Sequence, residues 1–213
     1  MLGQDPSGPL RSVASSGKIS VKTRLVIPSL VVAATLFLTG CFVTSDQKPL
    51  QQGPVSDEAL VGDWRAVDAE SGKLLNAFIH IQKTEGVDPL RVIYVEDDDY
   101  AIYELATTQA GTRKVFAMKA LEPEDARKEI GTGYMLGFYE VVGEEVRFHL
   151  LDAEKVGELI KQGKLSGTAG AKQYDGARLS GPSADITKFL ASNEGWNTRT
   201  DDPARMRRMY PEK

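Results

Sequence analysis

From residue 60 onward the chain alternates between apolar and polar positions. Leu75, Ala77, Ile79 and Ile81 take every second place in 74–83, with Phe78 and His80 between them. Side chains two apart on an extended strand share a face, so this segment predicts a half-buried strand. The same period marks 60–67 (LVGDWRAV), 100–107 and 113–120. It also marks 90–96, where Leu90, Val92 and Tyr94 alternate with Arg91, Ile93 and Val95. Ser71-Gly72-Lys73, residues 86–89, Asp97-Asp98-Asp99 and Gly111 supply turns between these runs. Gly143-Glu144 joins 133–142 to 145–151 as a hairpin. Residues 171–180 predict a further strand.

The period changes to a helical one late in the chain. Asp152 is placed to cap a helix over 152–163, with Val156, Leu159 and Ile160 on one face and Gly163 as its stop. Ser183 is expected to cap a second helix over 184–192 that buries Ile186, Phe189 and Leu190. The charged stretch 121–130 could hold a short helix starting near Pro123. The predicted fold class is α+β, mainly antiparallel β. About eight strands would form a small barrel or a strongly curved sheet, with one or two late helices. Short connections favour antiparallel neighbours.

The N-terminal region follows another pattern. Lys22 and Arg24 precede an apolar run over 25–38, broken by Pro28, Ser29 and Thr35. Basic residues followed by a short apolar run read as an export signal. The run is shorter than the roughly 20 residues a bilayer span needs. Residues 1–20 are polar and read as a disordered leader, with translation starting near Val21 or the leader added. Residues 41–55, with Pro49, Gly53 and Pro54, read as a flexible tether. The expected organisation is therefore leader 1–20, signal 21–40, tether 41–55, globular domain 56–192 and a polar, basic tail 193–213.

The signal ends on Leu38-Thr39-Gly40-Cys41. This tetrapeptide resembles the lipobox of bacterial lipoproteins. The resemblance implies cleavage before Cys41, acylation of Cys41, and a membrane as partner. Cys41 is the chain's single cysteine, so no internal disulfide can form. Several acyl chains on one residue would hold a protein stably, whereas one chain holds it marginally. Phe42 stands where enterobacterial lipoproteins retained in the inner membrane carry Asp, which favours the outer membrane facing the periplasm. A second resemblance is carried by Gly62-Asp63-Trp64, which is similar to the Gly-x-Trp of lipocalins. It implies that Trp64 closes one barrel end against an arginine of the last strand, and Arg178 is the nearest candidate. The helix between the seventh and eighth expected strands departs from the lipocalin order.

Charge and motif content narrow the function. The chain holds 26 Lys+Arg and 30 Asp+Glu. The part before Cys41 holds Arg11, Lys18, Lys22, Arg24 and Asp5, so the remainder has 22 against 29, a net charge of −7. That balance gives no general attraction to nucleic acid. His80 and His149 lack ligand-spaced partners, and Asp97-Asp98-Asp99 lacks the spacing of a calcium loop. Ser71-Gly72-Lys73 is not a phosphate loop, and 166–170 (SGTAG) is not a nucleophile elbow. No catalytic, cofactor or metal residue is expected.

The aromatic set is the remaining signal: Tyr94, Tyr100, Tyr103, Tyr134, Phe138, Tyr139 and Phe148 all fall on expected strands. An apolar ligand would be expected on the face carrying Phe78, Tyr134, Leu136 and Phe138. The competing expectation is that this face is packed core beneath the late helices. The function expected is a membrane-anchored, non-enzymatic binding or interaction domain, for an apolar molecule or an envelope protein. The alternative is an enzyme using carboxylate or tyrosine chemistry.

Overall fold

The computed structural model describes residues 42–52, 56–84, 87–124, 133–170 and 176–210. The signal segment, the lipobox and Cys41 lie outside the described residues, as does most of the short helix expected over 121–130. Strands form where the alternation is longest: β1 (Val43–Ser45), β2 (Gly62–Val67), β3 (Leu74–Thr84), β4 (Val87–Glu96), β5 (Asp99–Ala110) and β6 (Arg113–Glu122). They continue with β7 (Tyr134–Val142), β8 (Glu145–Leu150), β9 (Gly167–Thr168), β10 (Ala177–Leu179) and β11 (Ala204–Arg208). Among the described residues three helices come late: α1 (Ala153–Lys161), α2 (Ser183–Ala191) and α3 (Asn193–Asn197).

The molecule is mostly β, but the sheet departs from the expected count and direction. Eleven strands lie in the order β6-β5-β4-β3-β2-β11-β8-β7-β1-β10-β9. It is mixed, because β1 runs parallel to β10. A further antiparallel pairing, Val115 to Phe138 through Met118 to Met135, joins β6 to β7. Hydrogen bonding therefore returns on itself through eight of the strands.

Alternation sorts the side chains into two apolar clusters. Trp64, Ile79, Ile81, Leu90, Val92, Leu105, Phe116 and Met135 belong to the first, inside the strands. Val115, Ala117, Leu136 and Phe138 face the other way. They join Val156, Leu159, Ile186, Phe189 and Leu190 of α1 and α2 in the second. Helix α1 forms as expected from its cap: the Asp152 carboxylate accepts from Glu154 N at 3.0 Å and Lys155 N at 3.1 Å. Ser183 is the first residue of α2 rather than its cap; Pro182 takes the cap position without a side-chain bond.

Two segments expected to be loose are part of the fold. In residues 42–52, Phe42 is in the first cluster, Val43 is in the second, and Ser45 is fully buried. The backbone amides of Leu50 and Gln52 donate to Thr187 and Thr108. The tail supplies α3 and β11. Strand β11 pairs with β2 on one side and β8 on the other, from Ala204 to Arg208. Its sequence, ARMRR, holds a single large apolar residue, Met206, which turns inward. The drive to form this strand comes from two unpaired neighbouring strand edges, not from its own periodicity. Residue 60, expected in the first strand, ends a 3-10 turn, Glu58–Leu60, that precedes β2.

Candidate functional site

One end of the strand array is plugged by side chains. Trp64 is fully buried near the start of β2, and its Nε1 donates to the Leu60 carbonyl at 2.8 Å. The Arg208 guanidinium lies over the indole, 4.3 Å from the ring centroid. It also donates to the carbonyls of Val61 at 3.0 Å and Ala59 at 2.9 Å. Gly62 has φ +135°, and a Cβ there would stand 2.7 Å from Arg208 Nη1. The backbone conformation favours glycine, and a Cβ would also push the end of the Arg208 side chain aside. The arginine partner is thus Arg208, not Arg178. Arg178 lies on β10, outside this end, and is exposed and paired with Asp46 through Nε at 2.8 Å. The substitution follows from β11 being the strand beside β2.

Asp57 completes the plug. Its carboxylate accepts from Ala59 N at 3.0 Å, Lys114 Nζ at 2.7 Å and the Tyr139 hydroxyl at 2.9 Å. Burial pushes its pKa up, but the hydrogen bonds, led by that from Lys114, outweigh this and hold the group below the usual carboxylate range. Burial, followed by the neighbouring Asp57 charge, raises the Tyr139 phenol above its ordinary value. Every member is satisfied, which is the pattern of a structural network rather than a reactive one.

A second, less buried group of side chains packs against the same cluster as Trp64. Strand β4 carries Tyr94 and Glu96, and the Tyr94 hydroxyl donates to Glu96 at 2.7 Å. Tyr94, Tyr103, Met118, Phe148 and Leu150 are half-buried and pack against the first cluster. Burial raises the Tyr94 phenol, and the Glu96 carboxylate adds to the shift, so the hydroxyl stays protonated. The arrangement sets a hydroxyl–carboxylate pair beside half-buried apolar side chains.

Of the four residues expected to line a ligand, Tyr134, Leu136 and Phe138 share one face of β7 at the second cluster, and Phe78 lies apart on β3. Phe78 points outward, is 37% exposed and lies under the Arg65 guanidinium at 5.1 Å. Tyr134 also faces outward, beneath Lys48 and Lys119. Leu136 and Phe138 are fully buried in the second cluster, with Phe138 edge-on to Trp196 at 5.0 Å. For Leu136 and Phe138 the packed-core expectation describes the structure. Phe78 fails for a different reason: the inward face of β3 is the odd-numbered one. Tyr94 and Tyr103 were visible in the sequence as aromatic members of alternating runs, but which face turns inward is set by pairing.

Other chemistry is sparse. His80 Nδ1 lies 2.7 Å from Asp63 Oδ1 on the outer surface, and His149 is tucked against Trp196 and the Thr200 carbonyl. Among the described residues no group of three or more His, Cys, Asp or Glu is placed to hold a metal ion. A surface cleft of about 310 Å³ lies between α2 and the loop after α1, crossed by the Lys164–Glu194 ion pair at 2.7 Å. No helix among the described residues is long and apolar enough to cross a membrane. No family model, curated protein or solved structure matches the chain.

Proposed function

We propose that the chain is a lipid-anchored envelope lipoprotein whose domain is a non-enzymatic binding module. In this reading the eight mutually paired strands act as a small barrel, plugged at one end by Trp64 and Arg208. An apolar molecule is taken between Tyr94, Tyr103 and Leu150. The observation that carries the reading is the contrast between two groups of side chains within the strand array. One holds a buried indole and a satisfied ion cluster; the other sets half-buried aromatic and aliphatic side chains beside the Tyr94–Glu96 hydroxyl–carboxylate pair. The Leu38-Thr39-Gly40-Cys41 tetrapeptide supports the anchor, with Cys41 as the acylated first residue and the outer membrane as its location. The enzyme alternative is weaker, because a phenol held protonated beside a carboxylate is a poor base.

Two measurements test this. Intact mass of membrane-extracted protein should show a chain beginning at Cys41 with added acyl mass, and Cys41→Ser should lose it. Binding of a fluorescent fatty acid should saturate at one per chain, and organic extraction of the purified protein should release an apolar molecule. An unmodified N-terminus would remove the anchor. No saturable binding and no extracted molecule would remove the carrier, independently of the anchor.

A further inference from the structure

The outward face of β3, β4 and β5 carries an apolar patch. Phe78 pairs across to Val95, and Val95 to Tyr100, at 37%, 38% and 52% exposure. Ile93 and Ile102 form the next row and are half-buried. Such a row on a solvent-facing sheet costs solubility unless something covers it. The strands beneath are each paired on both sides, so strand addition by a partner is closed here, and recognition must be face to face.

The patch has charge of opposite sign on its two flanks. On the β2 side, Arg65 stands opposite Phe78, and Arg207 stands opposite Arg65. On the β5 side, exposed Asp97 and Asp98 form the turn after Val95, and exposed Glu122 stands opposite Ile102. Of the acids on the basic flank, Asp63 is engaged by His80, and Glu145 by Arg205 and Arg147. A membrane or nucleic acid would meet one flank with repulsion. A two-fold axis lying in the plane of the contact, along the strands, instead brings the basic flank of each copy onto the acidic flank of the other, over a shared apolar centre. An isologous contact requires that self-complementarity. We propose that this face binds a second copy of the chain.

Sedimentation velocity of the full chain in mild detergent tests the proposal. A dimer is expected that dissociates on dilution. Val95→Arg places a cation at the centre of an exposed face, so the melting temperature should hold while association weakens by at least about tenfold. Asp98→Arg alone should weaken the dimer, and Arg65→Glu combined with Asp98→Arg should restore it. A chain that is monomeric at every concentration overturns the proposal and leaves the face to another protein. A dimer that survives Val95→Arg also overturns it, since anchors sharing one micelle would behave that way.

Discussion

The Arg208 guanidinium stacks on the Trp64 indole at 4.3 Å while bridging the carbonyls of Ala59 and Val61. One side chain thereby ties the last strand, the first ring strand and the 3-10 turn before it. Trp64→Ala should cost about 3–5 kcal/mol in denaturant unfolding. Arg208→Lys should recover only part of the loss seen with Arg208→Ala, because a single ammonium cannot span two carbonyls and cover a ring. Gly62→Ala should be less harmful in an Arg208→Ala background, where the clash is gone and only the φ strain remains. Additive effects in that cycle would show that Gly62 and Arg208 are not coupled.

The sequence made the long strands legible because β3 to β8 carry their own alternation and turns. A buried indole near the start of β2 was implied by the resemblance of Gly62-x-Trp64 to the lipocalin motif, and Trp64 is buried there. Its arginine partner was not legible. Arg208 sits in ARMRR, where three arginines and one methionine give no apolar period, and the strand exists only because β2 and β8 leave room for it. Arg178 is the arginine of the last strand the local pattern predicts, over 171–180. Short polar strands are decided by long-range pairing, which a local pattern does not contain. The same limit hid which aromatics turn inward: Tyr94 and Phe78 look alike in alternation, and only pairing separates inside from outside.

Glu145 gathers three arginines on the outer face of β8 and β11. Arg205 donates Nε to Oε1 at 2.9 Å and Nη2 to Oε2 at 2.8 Å, Arg147 donates at 2.9 Å, and Arg207 stands 3.8 Å away. The hydrogen bond from Arg205 leads in lowering its pKa from 4.5 to about 2. A carboxylate depressed in the folded state contributes stability at pH above its unfolded value, and loses it as pH falls through the folded one. The stability gap between wild type and Glu145→Gln should be full above pH 4.5, shrink below it, and vanish as pH passes about 2. A gap that does not change with pH would mean that the arginines do not hold the carboxylate.

Phe138 separates core from site. It is fully buried against Trp196 and the helices α1 and α2. Phe138→Ala should lower stability by about 3–5 kcal/mol. At temperatures where the variant remains folded, fatty-acid binding should be unchanged. Loss of binding with unchanged stability would return the ligand to the outer face of β7.

Phe42 belongs to the packed fold rather than to a tether. A tether residue would be indifferent to substitution. Phe42 is instead 6% exposed within the first cluster, and Val43 is 1% exposed in the second. The following residues are bonded along the way: Asp46 N donates to the Leu179 carbonyl at 3.1 Å, and Gln109 N donates to the Gln52 carbonyl at 3.1 Å. Phe42→Ala should therefore cost about 3–5 kcal/mol, as for a core aromatic. If Cys41 is acylated, the residue next to the lipid is already core, and no slack chain separates the fold from the bilayer. Protease added to membranes should then fail to release an intact domain, because a cut needs several residues of accessible, extended backbone. Release of a stable domain by cleavage among residues 42–52, with Phe42→Ala melting like wild type, would mean that this segment is a tether and that the domain stands away from the membrane.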